Sequence, residues 1–219
     1  LEAAATAARP RASFTFVTDD GREEDWTFAE LWRRARELAV GLREHGMKRG
    51  DRVALILPAA NEFIPTFLGV VAGGGVPVPL YPPMGLGQLG GYLTHAQHIV
   101  GACRAALVIT TGQIKAVIGK LTLAAPELRA ILTVLDLPGD ASLYRDPAAD
   151  LADPCFIQFT SGSTSAPKGV VITHDNLAHN CRAIMRQGLS TGEEDRGLSW
   201  LPLFHDMGLI GFVIAPILY

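Results

Sequence analysis

The chain has no block of like charge. Its 219 residues include 19 Lys and Arg against 22 Asp and Glu, which gives a net charge of −3 at pH 7. Proteins that bind nucleic acid or anionic membranes by electrostatics carry clustered basic residues, so this balance argues against both kinds of partner. Chemistry on a small molecule is the better hypothesis.

Cysteine is also scarce. The three cysteines, Cys103, Cys155 and Cys181, are an odd number, widely spaced and set in apolar surroundings. This pattern excludes a disulfide framework and predicts reduced thiols in the core of a cytoplasmic protein. The first residues include no basic segment followed by an apolar one, so no secretory signal is visible.

Long hydrophobic runs are absent. Residues 209–219 are almost all apolar, but about eleven residues cannot cross a bilayer that needs about twenty. We therefore predict a core helix there and no membrane span. With 48% hydrophobic and 19% charged residues, the composition is that of a globular protein with a sizeable core.

Hydrophobic periodicity predicts alternating strands and helices. Thr27 and Glu30 have the spacing of a capping box, and apolar residues follow at helical spacing. The predicted helices cover about 28–45, 61–71, 89–103, 113–124 and 174–187, and the predicted strands cover 52–57, 76–80, 106–110, 130–135, 155–157 and 170–173. This alternation implies an α/β fold with mostly parallel sheets and flanking helices, in which the prolines of 76–80 favour a sheet edge. Asp175 or Asn176 is the candidate N-cap of the last predicted helix.

One segment has the composition of a connection. Residues 138–154 are rich in Asp, Pro and Ala and show little periodicity. We therefore predict a boundary there, with 1–150 forming a portion of a first α/β subdomain. Residues 151–219 would then begin the next α/β portion.

A loop of small and hydroxyl-bearing residues lies between two strand-like runs. From Gln158 to Gly169 it reads Gln-Phe-Thr-Ser-Gly-Ser-Thr-Ser-Ala-Pro-Lys-Gly. Small residues let successive backbone N–H groups turn toward an anion, hydroxyls add donors, and a lysine adds a mobile positive charge. The loop therefore predicts a polyphosphate site. Its candidate ligands are Thr160, Ser161, Gly162, Ser163, Thr164 and Lys168.

The spacing excludes a Walker P-loop. That motif requires a glycine five positions after its first glycine, and then Lys followed by Ser or Thr. Here Pro167 occupies that position relative to Gly162, and Gly169 follows Lys168. Proline has no N–H to donate to a phosphate. The order of residues instead resembles the signature loop of the adenylate-forming superfamily, which includes acyl-CoA synthetases, fatty acyl-AMP ligases, nonribosomal peptide adenylation domains and luciferases.

A second stretch supports the same resemblance. Residues 200–209, Trp-Leu-Pro-Leu-Phe-His-Asp-Met-Gly-Leu, are similar to the next core motif of that superfamily. Ser163 and Ser165 stand where Thr and Gly are commoner in the loop. Together with the Pro-Val-Pro-Leu-Tyr-Pro-Pro run at 77–83, these features most resemble fatty acyl-AMP ligases.

This resemblance implies a function and a place in a longer protein. It implies the amino-terminal part of the large domain of an enzyme that uses ATP and Mg²⁺ to convert a fatty acid to acyl-AMP. The expected acyl acceptor is a carrier-protein phosphopantetheine, and CoA remains the alternative. His205 would orient the substrate carboxylate or gate its entry. The ribose-binding acidic residue and the catalytic lysine of such enzymes are expected beyond Tyr219, so the chain alone is expected to be inactive.

Other interpretations remain open at this point. A noncatalytic nucleotide-binding module derived from the same family would carry the same loop. His205 could be a structural histidine, and Asp206 could cap the helix that follows it. A metal site could be suggested by His95, His98 and Cys103. No second ligand pair has suitable spacing, so we predict no metal site.

Overall fold

The computed structural model describes residues 2–6, 13–18, 20–83, 89–119, 125–160, 167–192 and 195–218. Within these ranges the strands are β1 (Ser13–Val17), β2 (Glu23–Thr27), β3 (Arg52–Ile56), β4 (Val76–Pro79), β5 (Leu107–Thr110), β6 (Ala130–Thr133), β7 (Pro154–Thr160) and β8 (Lys168–Thr173). The helices are α1 (Glu2–Thr6), α2 (Phe28–Glu44), α3 (Ala60–Ala72), α4 (Leu89–Ala102), α5 (Gly112–Ile118), α6 (His174–Arg182) and α7 (Ala215–Leu218). Wider π-helical turns cover Ala183–Gly188 and Met207–Ile214, and short 3₁₀ turns cover Val134–Asp136 and Ala141–Leu143.

A four-stranded parallel sheet forms the centre of the first part of the chain. Its strand order is β4-β3-β5-β6, and all three strand pairs are parallel. Helices follow β3, β4 and β5, as the alternation in the sequence predicts. The edge position of β4 is confirmed, and it suits a strand whose Pro77 and Pro79 have no N–H to donate to a further neighbour.

The sheet separates two apolar cores. Because successive side chains of a strand point to opposite faces, Val53 and Leu55 of β3 join one core, while Ala54 and Ile56 join the other. The first core lies on the side of α2 and α3, and the second lies on the side of α4 and α5. The sheet is therefore covered by helices on both faces.

The predicted capping box at the start of α2 is confirmed. The Thr27 hydroxyl accepts a hydrogen bond from the Glu30 N–H at 3.2 Å, and the Glu30 carboxylate accepts one from the Thr27 N–H at 2.8 Å. The cap of α6 differs from the prediction. Thr173 is its N-cap, and Asn176 completes the box from the third helical position. Thr173 closes β8 and is well placed to satisfy the first free N–H groups of the helix.

Two antiparallel hairpins depart from the parallel pattern. The first, β1 with β2, was not predicted, and the second pairs β7 with β8 as a separate two-stranded sheet. The second hairpin packs on the first part of the molecule through aromatic side chains. The rings of Phe67 on α3 and Phe156 on β7 lie 5.7 Å apart.

The connection between the two parts lies tightly against α2. Leu137 is fully buried, the Gly139 N–H donates to the Glu37 carbonyl at 3.2 Å, and the rings of Trp32 and Tyr144 meet at 5.3 Å. The segment is thus irregular but ordered by packing. The subdomain division that we predict near residue 150 stays a prediction.

The ends of several predicted elements differ from the structure. The strands predicted over 155–157 and 170–173 are β7 (Pro154–Thr160) and β8 (Lys168–Thr173), which extend into the predicted loop. The helix predicted over 113–124 is α5, which covers Gly112–Ile118, and residues 120–124 lie outside the described part of the chain. The strand predicted over 130–135 ends at Thr133, where a 3₁₀ turn begins. No helix among the described residues is long and apolar enough to cross a membrane.

Candidate active site

The β7–β8 hairpin presents the predicted phosphate loop. Thr160 and Lys168 are directly opposite each other as the last pair of its register, and the Thr160 hydroxyl donates to the Lys168 carbonyl at 3.5 Å. Residues 161–166 lie between these two strand ends and outside the described residues. This range includes four of the predicted ligands, Ser161, Gly162, Ser163 and Thr164, so their positions stay predictions.

The mouth of this hairpin has the chemistry of an anion site. Lys168 is exposed, and its ammonium group has no ion-pair partner among the described residues. Thr160 is exposed beside it and adds a hydroxyl. A lysine without a carboxylate partner keeps its charge available for a phosphate, so these two residues fit the predicted role.

The second motif forms a turn followed by a helical segment. The His205 N–H donates to the Pro202 carbonyl at 3.2 Å, and the Leu209 N–H donates to the His205 carbonyl at 3.0 Å. Gly208 is required by close packing, because a Cβ there would lie 2.4 Å from the Pro202 carbonyl oxygen. Asp206 is the N-cap of the segment Met207–Ile214, and its carboxylate accepts from the Met207 N–H at 2.8 Å.

His205 lies at the surface of this turn. Its Nδ1 is 2.5 Å from Oδ1 of Asp206, and the two side chains are 67% and 63% exposed. The imidazole therefore has one nitrogen held by the neighbouring carboxylate, while most of the ring is exposed. Asp206 serves both as a helix cap and as the group that orients the His205 ring.

Gln158 joins the two motifs. Its side-chain N–H donates to the Phe204 carbonyl at 2.7 Å. Its side-chain oxygen Oε1 is buried without a hydrogen-bond partner among the described residues. Gln158 lies two positions before Thr160, and Phe204 directly precedes His205, so this contact ties the phosphate hairpin to the histidine turn. The sequence holds Gln158 inside the signature stretch but gives no sign of this partner.

A third motif reaches the same place through aromatic rings. Tyr81, which follows β4, lies 6.2 Å from the ring of Phe204 and 5.2 Å from that of His95. Tyr92 on α4 packs against Tyr81 at 5.5 Å, and burial raises the pKa of its phenol well above the usual value. The structure thus brings the 77–83 run and the 200–209 stretch into direct contact.

His95 on α4 takes part in packing, whereas His98 is exposed. Burial, with a smaller contribution from the charge of His98, lowers the pKa of His95. The Cys103 thiol donates to the Val100 carbonyl at 3.6 Å, and burial raises its pKa to about 11. In the described part of the chain, no group of three or more His, Cys, Asp or Glu side chains could hold a metal ion.

A cavity of about 80 Å³ lies between Arg49, Gly74 and His174, toward the end of the β7–β8 hairpin opposite to Thr160 and Lys168.

Comparison with known proteins assigns the family. A family model described as AMP-binding enzyme matches residues 2–219, so the chain belongs to the AMP-binding enzyme family. The resemblance stated from the sequence motifs is thereby confirmed, and so is the α/β fold of the adenylate-forming enzymes.

Two curated relatives are a little more than one third identical to this chain where they align with it. It is 36% identical to the long-chain-fatty-acid–AMP ligase FadD32 of Mycolicibacterium smegmatis, over 91% of this chain and 31% of that protein. It is 37% identical to a putative acyl-CoA synthetase of Caulobacter vibrioides, over 87% of this chain and 33% of that protein. The chain thus spans about a third of the length of these curated relatives.

Solved structures share the fold of this chain. The fatty acyl-adenylate ligases studied from E. coli and L. pneumophila include a structure that is 33% identical, with a TM-score of 0.83, over 99% of this chain and 39% of that one. The L. pneumophila fatty acyl-adenylate ligase in complex with acyl adenylate and pyrophosphate is 34% identical, with a TM-score of 0.81, over 95% of this chain and 36% of that one.

Proposed function

We propose that this chain supplies the phosphate-binding and substrate-orienting part of an acyl-activating ligase. The complete enzyme would convert a fatty acid and ATP to acyl-AMP and pyrophosphate. The observation that carries the proposal is the geometry of the signature hairpin. Thr160 and Lys168 are its last residue pair, Lys168 is exposed and has no ion-pair partner among the described residues, and Gln158 joins the hairpin to the turn that holds His205. The names of the relatives point to the same reaction.

The reaction brings two anions together, so charge repulsion opposes it. An oxygen of the fatty carboxylate attacks the α-phosphorus of ATP, the new carboxylate–phosphorus bond forms, and pyrophosphate leaves with the electron pair of the broken bond. Donors fixed in advance near the leaving group lower this barrier, because they need not reorganise as charge moves. We assign this role to Thr160, Lys168 and the loop residues Ser161, Gly162, Ser163 and Thr164.

His205 is assigned to the attacking carboxylate. In the protonated form, its exposed ring donates from Nδ1 to Asp206 and can donate from the second ring nitrogen to a carboxylate oxygen. Mg²⁺, when bound together with ATP, would neutralise part of the polyphosphate charge. Among the described residues we assign it no ligand.

The acyl acceptor separates two versions of the proposal. We favour transfer from acyl-AMP to the phosphopantetheine thiol of a carrier protein, because the loop and the 200–209 stretch resemble fatty acyl-AMP ligases. Transfer to CoA is the alternative, and the relative named as a putative acyl-CoA synthetase supports it. The free, buried thiols fit a reducing compartment, so we propose that the enzyme acts in the cytoplasm.

One assay tests the reaction and its acceptor. The complete enzyme is given a medium- or long-chain fatty acid, ATP and Mg²⁺, with either CoA or a phosphopantetheinylated carrier protein. We expect fatty-acid-dependent release of pyrophosphate, accumulation of acyl-AMP in the presence of CoA, and acyl transfer to the carrier protein. Rapid formation of acyl-CoA would assign the alternative acceptor. ATP binding without release of pyrophosphate would identify a noncatalytic nucleotide-binding module and contradict the proposal.

A further inference from the structure

Gln158 makes a direct polar link between the phosphate hairpin and the histidine turn. The 2.7 Å hydrogen bond from its side-chain N–H to the Phe204 carbonyl joins residues that are 46 positions apart in the chain. The turn itself is closed by backbone bonds at Pro202 and Leu209, which fix its shape. Those local bonds do not fix where the turn lies relative to β7.

The choice of side chain at this position is costly for folding. Gln158 is half-buried, and its Oε1 atom has no hydrogen-bond partner in the described part of the chain. Its strand neighbours Ile157 and Phe159 pack on the second apolar core. A buried amide oxygen without a partner destabilises a fold, whereas an apolar side chain of the same length would avoid that penalty. The position therefore calls for an explanation beyond packing.

The place of Gln158 on β7 supplies an explanation for its amide side chain. Residues two apart in a strand project from the same face, so Gln158 and Thr160 lie on one side of β7. A rigid contact from Gln158 to the residue before His205 therefore sets the position of the imidazole relative to the hairpin mouth. Positioning of this kind matters strongly in a reaction between two bound substrates, where a displacement of about 1 Å costs about 10²-fold in rate.

We propose that Gln158 is a positioning residue, which holds the Phe204 carbonyl and thereby keeps His205 in register with the phosphates bound at Thr160 and Lys168. This inference rests on the proposed adenylation reaction. In this role Gln158 acts through the position of His205, so its removal lowers the rate of adenylation and leaves the affinity for ATP nearly unchanged.

A double-mutant cycle in the complete enzyme tests the proposal. Gln158→Met keeps the length of the side chain and removes the donor, and Gln158→Glu is a second variant that keeps the shape but replaces the N–H donor with an acceptor. We expect either change to lower kcat for acyl-AMP formation by about 10- to 100-fold, with KM for ATP within about twofold of the wild type. In a His205→Ala background the same change should cost less than about twofold, because residues that act as one unit are not additive.

The matched control is Gln187→Met, at an exposed glutamine in the π-helical turn Ala183–Gly188. It should leave both kcat and KM unchanged. Losses that multiply in the double mutant, or wild-type kcat in both Gln158 variants, would overturn the proposal.

A readout without turnover separates this inference from the proposed function. Backbone amide exchange of the ligand-free complete enzyme, measured by mass spectrometry, should be faster over 203–209 in Gln158→Met than in the wild type or in Gln187→Met. Unchanged exchange there would overturn the positioning role even if the enzyme forms acyl-AMP. A wild type that forms no acyl-AMP would instead contradict the proposed function, whatever the exchange shows.

Discussion

Thr160 and Lys168 face each other across the β7–β8 hairpin as its last residue pair, with the Thr160 hydroxyl 3.5 Å from the Lys168 carbonyl. This relationship gives the signature loop fixed ends, because both flanking residues are held in a strand ladder that packs on α3 through Phe156. A flexible surface linker has no such frame. The loop is therefore constrained at both ends, which suits the polyphosphate site proposed for it.

Replacement of Lys168 tests the electrostatic role of this frame. We expect Lys168→Ala to reduce fatty-acid-dependent ATP–pyrophosphate exchange by at least about 10²-fold, the scale seen when one preorganised donor to a developing charge is lost. The loss should appear in kcat more than in stability, because the side chain is exposed and unpaired among the described residues. Lys48→Ala, at an exposed lysine outside the hairpin, is the control. Exchange near the wild-type rate in Lys168→Ala would remove Lys168 from the site.

Gly208 offers a test of the histidine turn. A Cβ at Gly208 would lie 2.4 Å from the Pro202 carbonyl oxygen, while a Cβ at Gly211 meets no atom within 4 Å. Gly208→Ala should therefore displace the turn, lower kcat by about tenfold or more and destabilise the fold by about 1–3 kcal/mol.

Gly211→Ala is a control within the same helical segment. It should leave kcat unchanged and stabilise the fold by up to about 1 kcal/mol, because alanine favours helix more than glycine does. The two variants are compared by steady-state kinetics and thermal unfolding. Equal behaviour of both would show that the turn does not depend on its contact with Pro202.

Local sequence signals account for much of the fold. The capping box of Thr27 and Glu30 and the edge position of β4 follow from interactions between near neighbours or from the chemistry of proline, and the structure has both. The first hairpin was missed although its turn carries a signal. Asp20 and Gly21 lie between two alternating runs, and Gly21 has a φ of 78°, a conformation that glycine adopts readily.

The arrangement of the site depends on contacts between distant residues. The motifs predict which residues bind phosphate and which histidine lies near them, because residue types and spacing carry that chemistry. The bond from Gln158 to Phe204 and the ring contact from Tyr81 to Phe204 join residues far apart in sequence. Only the packing of the second hairpin against the first sheet brings them together. A single sequence contains no local pattern for such pairs.

Burial of the cysteines predicts that both the stability of the fold and the reactivity of the thiols depend on pH. Burial raises the pKa of the Cys155 thiol to about 12 and that of the Cys181 thiol to about 11. The folded state keeps protons that the unfolded state loses near pH 9, so the stability due to these neutral thiols is present below pH 9 and falls as pH rises toward 12.

The rate of alkylation reports the raised pKa of each buried thiol. At pH 8, with isotopic iodoacetamide and peptide mass spectrometry, we expect modification of Cys155 to be at least about 10²-fold slower in the folded enzyme than in urea, because each unit of pKa lowers the thiolate fraction tenfold. The rate in the folded enzyme should keep rising above pH 9. A plateau near pH 9 would contradict burial of the thiol.

The packing of Leu137 and the 138–154 connection on α2 gives the sharpest test of stability. A Cβ at Gly41 would lie 1.7 Å from the Leu137 carbonyl oxygen, so any side chain there must push the connection off the helix. Gly101, near the end of α4, is the matched helical glycine, and a Cβ there meets no atom within 4 Å. We expect Gly41→Ala to destabilise the enzyme by about 1–3 kcal/mol. Gly101→Ala should stabilise it by less than about 1 kcal/mol.

Denaturant unfolding of the complete enzyme, followed by tryptophan fluorescence, compares the stabilities of the two variants. Trp32 reports on the same region, because its ring packs on Tyr144 of the connection. If Gly41→Ala unfolds at the same denaturant concentration as Gly101→Ala, the connection does not lie against α2 in solution.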